Sequence, residues 1–161
     1  MLVRPATAAD AAACRTIYAP FVTDSWVSFE LKVPTVAEMQ SRIVTNSMSH
    51  CWLVVEIGSR VAGYAYGSPH RTREAYQSSC DVAVYVDPAF SRRGVGRGLY
   101  DTLLPTLKAR SFHAAFAGIA LPNPASIALH EAHGFEALGV YREVGWKMGG
   151  WHDVGWWQRL L

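Results

Sequence analysis

The run Arg92-Arg93-Gly94-Val95-Gly96-Arg97-Gly98 is the part of this 161-residue chain whose residue types and spacing point most directly to chemistry. It follows the apolar run Val82-Ala83-Val84-Tyr85-Val86 and the turn Asp87-Pro88. A strand, a glycine-rich loop and then a helix make a device for holding phosphates. Gly94, Gly96 and Gly98 have no Cβ, so backbone N–H groups can come close to an anion. The helix that starts in the loop adds unpaired N–H groups and its positive dipole end. Arg92, Arg93 and Arg97 add charge that can fork onto phosphate oxygens. Leu99-Tyr100 follows Gly98 where a Walker loop needs Lys-Ser/Thr, and Leu99 stands where a dinucleotide fingerprint needs its third glycine. Both of those ligands are disfavoured, while a plain solvated arginine-glycine turn stays open.

The elements that must position this loop are legible in outline. Half of the residues are hydrophobic, with six Trp, seven Tyr and six Phe, which excludes disorder and suits one domain over 1–161. A formal net charge of +2 gives no reason to expect nucleic acid as a partner. Cys14, Cys51 and Cys80 are odd in number and lack metal-ligand spacing, so a reducing, cytoplasmic setting and no metal are expected. No apolar run reaches the roughly 20 residues of a membrane span, and the N-terminus shows no signal-peptide pattern.

Met1–Arg4 reads as a strand, and Thr7–Asp10 starts a helix that continues over Ala11–Tyr18. Residues 19–33 read as irregular and aromatic. Thr35-x-x-Glu38 is a capping box opening a helix to about Ser47. Cys51–Ile57 and Arg60–Tyr66 form a hairpin about Gly58-Ser59, and Ser79–Val86 is a third strand. Helix 96–110 carries Leu99, Leu103 and Leu107 at core spacing, with Pro105 in conflict inside it. His113–Leu121 is a strand, and Asn123–His133 is a helix ended by Gly134. Phe135–Glu143 and Trp151–Leu161 pair across a glycine-rich loop. The order β-α-α-β-β-β-α-β-α-β-β implies an α/β fold.

Arg93-x-x-Gly96-x-Gly98 resembles the acetyl-CoA pyrophosphate loop of the GNAT acetyltransferases. The run Asn123-Pro-Ala-Ser126-x-x-Leu129-His130-Glu131-x-x-Gly134-Phe135 is similar to their second acetyl-CoA motif. Arg73-x-Ala75-Tyr76, Val84-Tyr85-Val86 and the tail Gly145–Gln158 resemble the phosphinothricin and methionine sulfoximine N-acetyltransferases within that superfamily. The resemblance covers nearly the whole chain. It implies a GNAT fold, a mixed central sheet of about seven strands with helices on both faces, and acetyl-CoA as co-substrate.

The resemblance also assigns roles. Val84, Tyr85 and Val86 would offer unpaired backbone to the pantetheine amides, as an added strand would. Residues Arg92 to Gly98, Val95 included, would hold the pyrophosphate. Asn123 and Ser126 would touch the cofactor arm, although Asn123 could equally cap its helix. Asp81 stands where the family typically has Glu, a general base that frees the amine from its ammonium form. Its alternative is a solvated acid at a strand start.

His130 stands where many GNAT enzymes carry a Tyr that protonates the departing thiolate, and its alternative is a packed helix residue. Arg71, Arg73 and Tyr76 would meet the acceptor's acidic groups, with a solvated loop as the alternative. Phe29 would line the acceptor pocket. His152-Asp153 suggests a metal or triad, but no partner residues support either.

The expected function is direct acetyl transfer to the α-amine of a small amino-acid-like acceptor of the phosphinothricin, methionine sulfoximine or methionine sulfone type. The alternatives are another small amine, a protein N-terminus, or a non-catalytic acyl-CoA sensor. The family resemblance and the aromatic tail suggest a homodimer.

Overall fold

A computed structural model describes every residue from Met1 to Leu161. In chain order the elements are β1 (Leu2–Pro5), α1 (Ala11–Thr23), α2 (Val36–Ser49), β2 (Cys51–Ile57), β3 (Arg60–Pro69), β4 (Ser79–Val86), α3 (Val95–Ala109), β5 (Ala114–Ala120), α4 (Pro124–Ala132), β6 (Glu136–Lys147) and β7 (Gly150–Leu160). The seven strands form one sheet in the order β1-β2-β3-β4-β5-β7-β6. All neighbours are antiparallel except β4 and β5.

Alternation along β2 distributes the helices to the two faces. Leu53 and Val55 point to one face, where they meet Leu99, Leu103 and Leu107 of α3. Trp52 and Val54 point to the other, where they meet Cys14 and Ile17 of α1 and Met39 and Ile43 of α2. Successive side chains of a strand face opposite ways, so one apolar strand serves two cores. Leu99, Leu103 and Leu107 are fully buried, each contributing about 1.5–3 kcal/mol. The capping box opens α2 as its sequence requires: Glu38 N–H donates to Thr35 Oγ1 (3.1 Å) and Thr35 N–H to Glu38 Oε2 (2.6 Å).

Two sequence expectations are corrected, and the conflict at Pro105 is resolved. Residues 19–23 are helical, because α1 runs through Pro20 to Thr23. The carbonyl that Pro20 leaves without a donor belongs to exposed Thr16, where water can satisfy it. Helix α3 likewise continues through Pro105, which is exposed and frees the carbonyl of exposed Asp101. The expected glycine-rich loop 144–150 is mostly strand. β6 and β7 pair as far as Lys147↔Gly150, joined by Met148 and Gly149 with φ of 53° and 76°. Two consecutive left-handed residues make the tight turn that suits twisted strands.

Candidate active site

β4 and β5 pair over only three residues, Ser79↔Ala114, Cys80↔Ala115 and Asp81↔Phe116. Beyond that point β4 stays with β3 as far as Val86, and β5 stays with β7 as far as Ala120. The two strands therefore diverge, and Val82–Val86 keeps one backbone edge without a strand partner. A cleft of about 620 Å³ fills the opening, lined by Val84, Tyr85, Val86, Gly118, Ile119 and the start of α3 among others. An unpaired edge facing a cleft binds an extended amide-bearing chain through its N–H and C=O groups.

The glycine loop closes one end of this cleft. Gly94 precedes α3 with φ 76°, a conformation only glycine adopts freely. The first intrahelical bond runs from Gly98 N to Gly94 O (2.9 Å), so the N–H groups of Val95, Gly96 and Arg97 are free for an anion. Arg92, Gly94, Val95, Gly96 and Arg97 line the cleft, whereas Arg93 and Gly98 do not. The Arg93 guanidinium lies over the Phe90 ring, 5.4 Å from its centroid. A Cβ on Gly98 would meet Met1 Cε at 2.7 Å, the far end of an exposed side chain that can move aside, and only Val3 at 4.0 Å beyond it. A Cβ on Gly96 would press on Leu129 of α4 at 3.1 Å.

Asn123 and Ser126 line the opposite wall. Asn123 also caps α4, its Oδ1 accepting from Ser126 N–H at 3.1 Å, so the two readings of this residue coexist. His130 reaches the floor of the cleft but is only 3% exposed. Its Nδ1 lies 2.7 Å from Ser126 O, which can only accept, so Nδ1 carries the proton. Nε2 then accepts from the Tyr100 hydroxyl at 2.8 Å. Burial lowers the His130 pKa and favours this neutral form. Both ring nitrogens are engaged in the interior, and neither presents a free proton to the cleft.

A second cavity of about 320 Å³ lies on the other side of the divergence and contains Asp81, Phe29, Ser28, Ser68, Tyr66 and Trp156. It shares Val27, Val82, Ala83, Tyr85, Gly118 and Ala120 with the cleft, so the two spaces meet where β4 and β5 part. A thioester arriving from one side and an amine from the other would come together there.

Asp81 Oδ1 lies 2.5 Å from His70 Nδ1. Burial pushes the Asp81 carboxyl above its ordinary value, against the opposing hydrogen bond from His70 and the charge of Arg71.

The segment 24–33 roofs this cavity and is tied down from several sides. Trp26 Nε1 donates to Leu121 O (3.0 Å), and the buried Lys147 Nζ donates to Ser28 O (2.6 Å). The Tyr18 hydroxyl bonds Ser28 Oγ (2.6 Å) and donates to Glu30, which Arg42 grips and holds below the usual carboxylate range. Phe29 packs on Gly145, where a Cβ could not fit.

The remaining substrate candidates sit apart. Arg71 lines a neighbouring cavity of about 290 Å³ with His70 and Trp156, while Arg73 and Tyr76 are exposed on the segment outside both spaces. His152 donates to Lys147 O and stacks on Trp26, and Asp153 accepts from Glu143 N–H, so this pair shapes the β6–β7 hairpin.

Sequence reasoning missed His70 and reached Trp156 only as part of the aromatic tail, without singling it out. The signal for His70 was the β3–β4 register, in which Ser68 pairs with Asp81 and Pro69 with Cys80, leaving His70 beside the acid. Trp156 pairs with Gly118, the one residue in β5 without a side chain to exclude its indole.

The Acetyltransferase (GNAT) domain family matches residues 3–156. The chain is 42% identical over 157 residues to a phosphinothricin N-acetyltransferase of Streptomyces viridochromogenes, covering 98% of this chain and 86% of that protein. Among solved structures it is similar to the phosphinothricin acetyltransferase of Sinorhizobium meliloti in complex with acetyl-CoA. That match has a TM-score of 0.95 at 34% identity and covers 99% of this chain and 88% of the other. It is also similar to the ribosomal-protein-alanine N-acetyltransferase of Brucella melitensis, with a TM-score of 0.96 at 33% identity over all of both chains. A cleft that suits an amide-bearing arm and a pyrophosphate, meeting a carboxylate-bearing cavity, is thus accounted for: the chain belongs to the GNAT family of acetyl-CoA-dependent N-acetyltransferases.

Proposed function

We propose that this enzyme acetylates the α-amine of a small amino-acid-like acceptor of the phosphinothricin, methionine sulfoximine or methionine sulfone type, by direct transfer from acetyl-CoA. The observation that carries this reading is the meeting of the two cavities over six shared residues, with the Asp81 carboxylate on the acceptor side. Bound acetyl-CoA supplies the activated acyl group. The free backbone edge of Val84–Val86 orients its arm, and the N–H groups of Val95, Gly96 and Arg97, with Arg92 and Arg97, hold its pyrophosphate.

Asp81 takes the proton of the arriving ammonium, directly or through one water, so that the nitrogen lone pair can attack. Arg71, which lines the cavity adjoining the acceptor side, and Arg73, which is engaged in no ion pair of its own, are the guanidinium groups assigned to an acidic group of the acceptor. We assign His130 to packing and to fixing α4, since its proton is committed to Ser126 O. An acceptor cavity of about 320 Å³ suits a small molecule.

The test is thiol release from acetyl-CoA with phosphinothricin, methionine sulfoximine, methionine sulfone, ordinary amino acids, polyamines and an alanine-terminated peptide as acceptors. Preference for the first three is expected. Preference for a polyamine or the peptide would overturn the acceptor assignment, and no turnover with any amine would favour an acyl-CoA sensor.

A homodimer is supported by β6, an edge strand whose Leu138, Val140, Tyr141, Val144 and Trp146 are all exposed. A cytoplasmic location is supported by three cysteines that are buried and unpaired. No helix is long and apolar enough to cross a membrane.

A further inference from the structure

We infer that His70 is a positioning residue for the base: its Nδ1–H holds one oxygen of Asp81, keeping the carboxylate ionised and its other oxygen turned to the acceptor cavity. This rests on the reading of Asp81 as the group that takes the ammonium proton.

Three observations support it. The first is the 2.5 Å contact between Nδ1 and Asp81 Oδ1, in which only the histidine can donate to an ionised carboxylate. The second is the way the ring is held. It stacks on Phe116 of β5 with centroids 4.1 Å apart and planes 11° from parallel, and Trp156 of β7 and Tyr76 meet it edge-on at 6.2 and 6.1 Å. Only 11% of the side chain is exposed. Three aromatic residues from separate segments fix this imidazole, as a wandering surface histidine would not be fixed.

The third is placement. Asp81 lines the acceptor cavity and His70 does not, whereas His70 lines the adjoining 290 Å³ cavity and Asp81 does not. The histidine therefore stands behind the acid. Its Nε2 has no protein partner and is not among the polar atoms sealed from water.

The physical need is clear from the surroundings. A carboxyl drawn into a low-dielectric pocket tends to keep its proton, and a protonated acid is no base. A hydrogen bond to the ionised form opposes that tendency. The other groups facing the pair are the Arg71 guanidinium, the Tyr66 hydroxyl, the Cys80 thiol and the hydroxyls of Tyr76 and Tyr141. Tyr66 and Cys80 are both pushed up to about 12 by burial, so they stay neutral where the enzyme would work.

The test compares the wild type with His70→Phe, His70→Asn, Asp81→Asn and the double variant His70→Phe/Asp81→Asn. The readouts are the pH profile of kcat with phosphinothricin and acetyl-CoA, and thermal melting to confirm folding. Phe keeps the stack on Phe116 and removes the donor, while Asn restores a donor near the Nδ1 position. His70→Phe is expected to move the acid limb of kcat up by about one to two pH units, the size of a lost hydrogen bond to a charged group. At pH values below the wild-type acid limb it should lower kcat about tenfold or more, with KM for acetyl-CoA unchanged.

His70→Asn should recover much of that loss, and His70→Phe should cost less than about twofold in the Asp81→Asn background. An acid limb that stays in place in both single His70 variants, while Asp81→Asn remains impaired, would overturn the positioning role and leave Asp81 as the base. An equal loss from His70→Phe with and without Asp81 would reduce His70 to packing. A fully active Asp81→Asn enzyme would instead remove Asp81 as the base, and the role of His70 with it.

Discussion

Asp81 is a charge kept where a charge is unfavourable. Because burial raises its folded pKa above the ordinary carboxylate value, the folded state binds this proton more readily than the unfolded chain. Stability therefore falls as pH rises from the ordinary value through the raised one, and stays lower above it. Asp81→Asn should remove that fall and melt higher than the wild type at neutral pH by calorimetry. The same change should lower kcat about 10²–10⁴-fold, with partial recovery at alkaline pH as more amine is free in solution. Stability and activity moving in opposite directions would mark a functional acid, and full activity at neutral pH would refute the role. The arginines of the loop divide by geometry. Arg97→Ala should weaken acetyl-CoA binding about fivefold, roughly 1 kcal/mol once the solvent screening of an exposed side chain is allowed for. Arg93→Ala should change it by less than about twofold, because that side chain lies over Phe90 and outside the cleft. Calorimetric titration of both variants checks the pair, and equal losses would return Arg93 to the pyrophosphate site.

The site depends on one failure of pairing and one glycine contact, and the two were unequally legible. Apolar runs and turn residues marked β4 and β5 to within a residue or so, since their periodicity is local. Their divergence after Asp81 depends on β3 and β7 pulling them apart, and no stretch of either strand encodes that alone. It was reached only through the likeness of Val84-Tyr85-Val86 to a known family. The two prolines show the opposite case. A local rule forbids proline in a helix interior, but at Pro20 and Pro105 the orphaned carbonyl belongs to an exposed residue, where the penalty is small. The loop 24–33 could be read as aromatic but not as anchored, because Lys147, Arg42 and Leu121 reach it from distant parts of the chain. Gly145 is the most direct test of that roof. A methyl there would occupy the position of the Phe29 ring and push it from the acceptor cavity, an overpacking cost of about 1–3 kcal/mol. Gly145→Ala should raise KM for the acceptor several-fold and leave KM for acetyl-CoA unchanged in steady-state kinetics. A parallel rise in both would show that the hairpin supports the whole fold and not the pocket alone.

At the scale of the molecule, the sheet ends on β6, and that edge is only partly protected, by a mid-strand bulge and the exposed Arg142 and Glu143 within it. Twelve residues long, it carries exposed Leu138, Val140, Val144 and Trp146, with Trp151 of β7 exposed against Trp146 at 5.1 Å between centroids. Edge strands of soluble proteins are normally short, charged, bulged or covered. The bulge between Tyr141 and Gly145 breaks this edge only in the middle, and the proposed homodimer would cover the rest. Leu138, Val140 and Tyr141 also wall the cavity into which His70 faces, so a partner seated on β6 would shield the histidine side of the Asp81–His70 pair from bulk water. Assembly of the proposed homodimer would then be linked to catalysis through solvent access. Val140→Lys with Val144→Lys places two charges on the patch without touching the cleft. Sedimentation of the wild type should give twice the chain mass, and the double variant should sediment as a monomer with a lower melting temperature. Its affinity for acetyl-CoA should persist, since the cofactor cleft lies on α3 and β4. A wild type that sediments as a monomer at micromolar concentration would refute the dimer and leave the exposed β6 edge without a partner.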